Sequence, residues 1–377
     1  MKIILAPDKF KSSVSGFEFC KAVESGLKEI RPDLKIVTLP LADGGDGTID
    51  IINFYLKGEF VSVQVHNPFF KRISGSYLFA EKSKTAFIEM AEASGIKLLK
   101  HEQLDCKNAT TLGTGELIVD ALNRGAEQII LGIGGSATND CGIGMATALG
   151  YRFLDENDKE VKPIGANLSK IKRIDASNIH AKLKSVKFQI ACDVENPLYG
   201  ENGAVQVYAK QKGANKKVRA LLEQGLLDFS KVLRNHFNMD VQSVKGGGAA
   251  GGMGIASKVF LNGILELGTT LVKDLADFDH QIQGAEWLIT GEGKLDVQTL
   301  SGKTIRGVLD SAKAKKIKVA ALCGAIDLDE NKLKDFGIDY ADDVLNYSKN
   351  LNDAMENGKA YLAEMARVFA KKHLNEI

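Results

Sequence analysis

The sequence predicts an α/β protein of two domains: a doubly wound parallel sheet built from both chain ends, and an inserted α/β domain with a mixed sheet. Three observations predict it. Short apolar runs alternate with helical patterns at both ends of the chain. Glycine, with 38 copies, gathers directly after those runs, whereas proline, with 6, is scarce. At 377 residues the chain is long enough for two compact domains.

Each element follows in turn. Lys2 to Ala6 reads as a strand and Pro7 to Ser13 as a loop. Ser15 is placed to cap a helix running to about Ile30, and Glu18 three residues on completes a capping box. A second strand, Lys35 to Pro40, leads into the loop Ala42 to Gly47 and a helix from Thr48. The same rhythm returns at the other end. A strand at Glu286 to Thr290, a glycine-rich loop and a helix near Thr304 to Lys315 come first. A strand at Lys318 to Leu322, another near Asp343 to Leu345 and a helix from about Asn352 to His373 follow. Residues 1–60 and 285–377 thus form one discontinuous domain, with 61–284 inserted. The insert opens with strands at Val61 to His66, Ser74 to Ala80 and Thr85 to Met90, then a helix at Gly115 to Arg124 and a strand at Gln128 to Leu131. An insertion between two halves of a sheet predicts a cleft, where small ligands usually bind.

Composition narrows the function. Hydrophobic residues make up 44% and charged residues 26%, the balance of a soluble globular protein. The net charge of +1 gives no electrostatic reason to expect nucleic acid or a membrane surface as partner. No uncharged apolar stretch reaches the ~18 residues of a membrane helix, and the apolar start is too short for a signal peptide. Cys20, Cys106, Cys141, Cys192 and Cys323 are odd in number and scattered, which argues against a disulfide framework and for a reducing, cytoplasmic setting. None of the 6 histidines pairs at metal-ligand spacing.

Five loops carry glycine with acidic or basic groups directly after predicted strands. They are Asp8-Lys9-Phe10-Lys11-Ser12, Asp43 to Thr48, Gly132 to Asp140, Asp193 to Pro197 and Thr290 to Asp296. One such loop is ordinarily a turn or a helix cap. Five in one chain supply what phosphoryl transfer needs: carboxylates for Mg²⁺, ammonium groups, and bare backbone N–H groups at strand ends. A second glycine cluster, Gly246 to Gly254, suits either close helix packing or a phosphate cradle. Ser301-Gly302-Lys303-Thr304 has the tail of a P-loop without its leading glycine, which Val297 replaces. Gly132, Gly134 and Ala137 match part of a dinucleotide fingerprint, with Asp155 near the acidic position.

Together these strings resemble the type I glycerate kinase family over nearly the whole chain. The match includes Ala6 to Lys11, Ala42 to Thr48, Ile88 to Gly95, Thr111 to Ile118 and Gly132 to Asp140. It continues with Gln211 to Ala214, Gly248 to Gly252 and Ile289 to Asp296. The chain departs at Lys9, Ser12 and Cys141, where the family commonly has Ser, Gly and Gly, and in the segment Asn67 to Lys71. The resemblance implies a flavodoxin-like domain made from both chain ends, an active site between two α/β domains, and an ATP- and Mg²⁺-dependent kinase giving 2-phosphoglycerate from D-glycerate.

On that reading the catalytic candidates are Asp193, Asp140, Lys9 and Lys11. Asp8, Asp43, Asp46, Glu292, Lys294, Asp296 and Arg306 are expected at the substrate. Gly134, Gly135, Ser136, Gly247, Gly248 and Gly251 are expected at the ATP phosphates, and Asp193 and Glu292 at Mg²⁺. A monomer or a homodimer would serve. The alternatives are a nicotinamide-dependent hydroxy-acid dehydrogenase, resting on the partial fingerprint, and a non-catalytic glycerate or nucleotide sensor.

Overall fold

A computed structural model describes residues 1–8, 10, 13–42, 48–297 and 303–374. The chain divides into two compact units, Met1–Tyr55 with Thr269–Ile377, and Leu56–Gly268.

The discontinuous unit is organised by the strand Lys2–Leu5. Ile3, Ile4 and Leu5 have no accessible surface, as expected for a parallel strand covered on both faces. It pairs in parallel with Lys35–Thr38 on one side and with Trp287–Thr290 on the other. Lys318–Cys323 and Tyr340–Asp343 extend the sheet beyond Trp287–Thr290. Numbered along the chain, the spatial order is 2-1-3-4-5, that of the flavodoxin-like doubly wound sheet. Both chain ends therefore build one sheet, as the sequence pattern predicts.

The first helix, Gly16–Ile30, starts where expected. The Ser15 hydroxyl accepts from the Glu18 N–H at 3.2 Å, and the Glu18 carboxylate accepts from the Ser15 N–H at 3.0 Å. This helix packs against the C-terminal helix Leu351–His373. Gly26 makes the crossing: a Cβ there would lie 2.1 Å from the Ala363 carbonyl oxygen. Lys359 pairs with Glu18 and Arg367 with Glu29 beside the crossing. One expected strand shifts. Tyr340–Asp343 is extended, and Val344–Asn346 turns instead because the Asp343 carboxylate accepts from the Asn346 N–H.

The continuous unit holds a six-stranded mixed sheet. Its order is Ile264–Glu266, Lys187–Ala191, Gln128–Gly132, Thr85–Glu89, Arg72–Ala80, Glu59–His66. The first four strands run parallel, and the last two are joined on by antiparallel pairings. Register levels the parallel ends: Glu89 faces Gly132, Gly132 faces Ala191, and Ala191 faces Glu266. The loops after these residues consequently leave the sheet along one edge.

The helix expected from Gly115 begins earlier, at Leu112, and runs to Asn123. Thr111, its N-cap, makes no side-chain capping bond within the helix. The cap comes from Asp140, whose carboxylate accepts from the Thr111 N–H at 2.8 Å. Local patterning does not reveal such a start.

Gly26→Val should destabilise the protein by about 1–3 kcal/mol, because a backbone carbonyl cannot swing aside as a side chain can. Urea denaturation followed by circular dichroism measures it. A midpoint at or above that of the unsubstituted protein would show that the helix crossing tolerates a side chain.

Candidate active site

In the discontinuous unit two of the sequence candidates, Asp8 and Glu292, follow the strands between which the order reverses. Lys2–Leu5 and Trp287–Thr290 are neighbours although they come from opposite ends of the chain. Ligands of doubly wound sheets bind at the carboxyl ends of strands flanking such a reversal. Here those ends carry Asp8 and Glu292. The Asp8 N–H donates to the Gly291 carbonyl at 2.9 Å, and the Thr290 hydroxyl donates to the Ala6 carbonyl at 2.8 Å. Asp8 is 8% exposed.

Lys294 pairs with Asp327 at 3.0 Å and Asp296 at 3.6 Å. The hydrogen bond to Asp327 raises its ammonium above the usual lysine range. Arg306 pairs with Asp310 one helical turn on, at 3.0 Å, on an exposed face. Exposed pairs of this kind are worth little and exchange readily. Lys9, Lys11, Asp43, Asp46, Ser301 and Gly302 lie outside the described residues. Lys303 opens the helix Lys303–Ala314.

In the continuous unit a turn of glycines leaves the strand Gln128–Gly132. Gly134 and Gly135 are exposed. A Cβ on Gly134 would meet nothing, and Gly135 takes φ +68°. The turn is clamped to the segment Ser94–Ile96: the Ile96 N–H donates to the Gly135 carbonyl at 2.8 Å, and the Ala137 N–H to the Ser94 carbonyl at 2.9 Å. Among the described residues, nothing accepts from the N–H of Gly134, Gly135 or Ser136. Such a run of bare N–H groups is a concavity for an anion. Asp193 follows the neighbouring strand Lys187–Ala191; its Oδ1 accepts from the Gly268 N–H at 3.2 Å, and it keeps partial exposure.

Two charged groups lie beneath the turn. Asp140 has no accessible surface. Its Oδ2 accepts from the Thr111 N–H and hydroxyl, both at 2.8 Å, and from the Gly144 N–H at 3.2 Å. Its Oδ1 accepts from the Gly142 N–H at 3.2 Å. Burial pushes this carboxyl up, and the donors from Thr111, Gly144 and Gly142 pull the other way. Donors alone face it, the environment of an ionised carboxylate. Lys212, 3% exposed, donates from Nζ to the Ser136 hydroxyl at 2.6 Å and to the Thr138 carbonyl at 2.9 Å. Burial pushes its ammonium down to about 8, opposed by Cys106 and Asp140.

The structure thus aligns Gly134, Gly135, Ser136 and Asp193 on one sheet edge, with Asp140 below. Asp140, expected to touch substrate, has no surface through which to do so. Gly247, Gly248 and Gly251, expected at phosphates, are buried as well. Gly251 takes φ +72°, and a Cβ there would lie 2.3 Å from the Thr138 carbonyl oxygen. Close packing against the Thr138–Cys141 segment accounts for this glycine.

Asp155 accepts from the N–H groups of Asn157 and Lys159 in its own turn. The helix after the glycine turn starts only at Ile143. Neither feature is that of a dinucleotide fingerprint. Sequence reasoning gave no role to Lys212, nor to Asn139, whose amide is fully buried with both polar atoms unpaired among the described residues.

A glycine turn with bare N–H groups, carboxylates and a buried ammonium at the ends of parallel strands are parts suited to an α/β enzyme that handles phosphate. Comparison with known proteins makes this specific. The model described as "Glycerate kinase family" matches residues 3–373. Glycerate kinase of Halalkalibacterium halodurans is 40% identical over 98% of this chain and 97% of its own. Glycerate 2-kinase of Escherichia coli K12 is 38% identical over 98% of this chain and 97% of its own. A crystal structure assigned as glycerate kinase 2 from Salmonella typhimurium LT2 superposes with TM-score 0.87 at 38% identity, covering 99% of this chain and 98% of that one. The chain belongs to the glycerate kinase family. Nothing in these comparisons supports a dehydrogenase or a non-catalytic sensor.

Asp140→Ala should lower stability by about 3–5 kcal/mol, the usual loss when one partner of a buried charged network is removed. Equilibrium unfolding in urea checks this; a loss under about 1 kcal/mol would mean that the two helix starts hold without the carboxylate.

Proposed function

We propose that the protein transfers the terminal phosphoryl group of ATP to the 2-hydroxyl of D-glycerate, giving 2-phosphoglycerate and ADP. The observation that carries this reading is the Gly134–Ser136 turn, with two exposed glycines and unclaimed N–H groups, and Asp193 after the adjacent strand. The backbone N–H groups of the turn bind the phosphates. Asp193 orients the 2-hydroxyl and takes its proton late, because a loose transition state asks little of a base.

Nucleotide-bound Mg²⁺ takes one or two carboxylates beside phosphate oxygens and water. Among the described residues no group of three or more His, Cys, Asp and Glu forms a protein cage. Asp193 and Glu292 are each suited to hold the ion, which when bound would neutralise charge on the transferring phosphoryl group. Lys9, Lys11, Lys294 and Arg306 are assigned to the glycerate carboxylate and the phosphate charge, since the exposed pairs that Lys294 and Arg306 now make exchange readily. Asp8, Asp43, Asp46 and Asp296 are assigned to the glycerate hydroxyls.

Asp140 is reassigned from substrate contact to holding the loop, on its complete burial. The two-domain division belongs to the same reading, with the insert drawn at Leu56–Gly268 in place of the expected 61–284. So does a cytoplasmic setting, which suits five buried cysteines that form no disulfide among the described residues. Among the described residues no helix is long and apolar enough to cross a membrane.

A coupled ADP-release assay over short hydroxy acids should show turnover with D-glycerate above its analogues, and NMR of the product should place phosphate on the 2-position. Asp193→Asn should reduce kcat by about 10²–10⁴-fold with KM little changed. Turnover near that of the unsubstituted enzyme would remove Asp193 from the reaction.

A further inference from the structure

We propose that Lys212 is a positioning residue of phosphoryl transfer: its buried ammonium supplies the positive charge behind the Gly134–Ser136 turn and orients the Ser136 hydroxyl toward the nucleotide phosphates. This deepens, and rests on, the assignment of that turn to ATP.

The argument begins with the backbone. Lys212 ends a short 3₁₀ turn, Lys210–Lys212, and Gly213 follows at φ +89°. The Lys212 carbonyl accepts from the Cys106 N–H at 3.1 Å, and a Cβ on Gly213 would lie 2.0 Å from the Leu104 carbonyl oxygen. The lysine's starting point is therefore fixed from both sides.

Its side chain spends an ammonium where a Met or Leu stem would bury more favourably. Both known acceptors of that ammonium, Ser136 Oγ and the Thr138 carbonyl, belong to the loop that carries the exposed Gly134 and Gly135. An ammonium only donates, so Ser136 Oγ receives its hydrogen bond and keeps its own proton to give elsewhere. Asp140 holds the far end of the same loop. The loop is thus braced by a cation at Ser136 and an anion at Asp140, with the cation nearer the bare N–H groups.

The sign of the pH dependence follows. Cys106 and Asp140 are the titratable groups acting on Lys212. Burial pushes the Cys106 thiol up to about 11, so it stays neutral near pH 8. Lys212, pushed down to about 8, loses its charge as pH rises through that value. ATP affinity should fall over the same range. An arginine keeps its charge throughout.

The test is calorimetric titration of ATP into the full chain from pH 7 to 9, with circular dichroism checking the fold of each variant. Lys212→Met should weaken ATP binding at least about tenfold at pH 7, Lys212→Arg should restore most of it, and the loss above pH 8 should vanish in Lys212→Arg. Gly134→Asp serves as the control for the site, since its side chain enters open space but sets a carboxylate on the turn. It too should weaken ATP at least about tenfold. Unaltered binding in Lys212→Met with weak binding in Gly134→Asp would overturn the role of Lys212 and leave the ATP site standing. Unaltered binding in both would remove the ATP site itself. If Lys212→Met does not fold, a flat ATP affinity from pH 7 to 9 in the unsubstituted enzyme overturns the proposal.

Discussion

One buried carboxylate ties together the helices and the glycine loop of the continuous unit. Asp140 accepts from Thr111 at the start of the helix Leu112–Asn123, and from Gly142 and Gly144 at the start of Ile143–Ala148. Helix starts carry unsatisfied N–H groups and partial positive charge, so a single anion settles two of them. Thr111 completes the joint by donating its hydroxyl to Asp140 and accepting from the Met145 N–H at 2.9 Å. Asp140 is also the last residue of the glycine loop. The joint that sets two helices against each other therefore sets the loop as well.

That arrangement separates two duties which a loop of mixed residues leaves entangled. Gly134 and Gly135 are exposed, whereas Ser136 to Asp140 are buried. The exposed part offers backbone; the buried part holds shape through Asp140, Lys212 and packing against Gly251. In the discontinuous unit the division differs. Asp8 at the reversal point is buried, whereas Lys294 and Arg306 are exposed and pair with neighbouring acids. Preorganised dipoles stabilise developing charge without rearranging, whereas exposed side chains reorganise with solvent.

Much of the fold was legible because its causes are local. The Ser15–Glu18 capping box spans three residues, and the apolar runs of the flavodoxin-like sheet are continuous. What escaped depends on distant partners. The Leu112 helix start is capped from 29 residues away, and Lys212 reaches Ser136 across 76. The edge strand Tyr340–Asp343 is half-buried and ends in two acids, so its pattern reads weakly as a strand. At the candidate site, sequence located the Gly132–Asp140 loop and Asp193 by type and spacing. It could not tell which side of a loop faces water. Asp140 and Gly134 look equally chemical in one dimension; their opposite burial decides between them.

The discontinuous sheet also sets an order of events during synthesis. The strand Lys2–Leu5 finds its partner Trp287–Thr290 only after the whole of Leu56–Gly268 has left the ribosome. At ~5–20 residues per second that wait lasts roughly 15–60 s. For that interval an entirely apolar Ile3-Ile4-Leu5 segment has only one of its two strand partners, Lys35–Thr38. A nascent chain of this layout is one on which a chaperone has time to act.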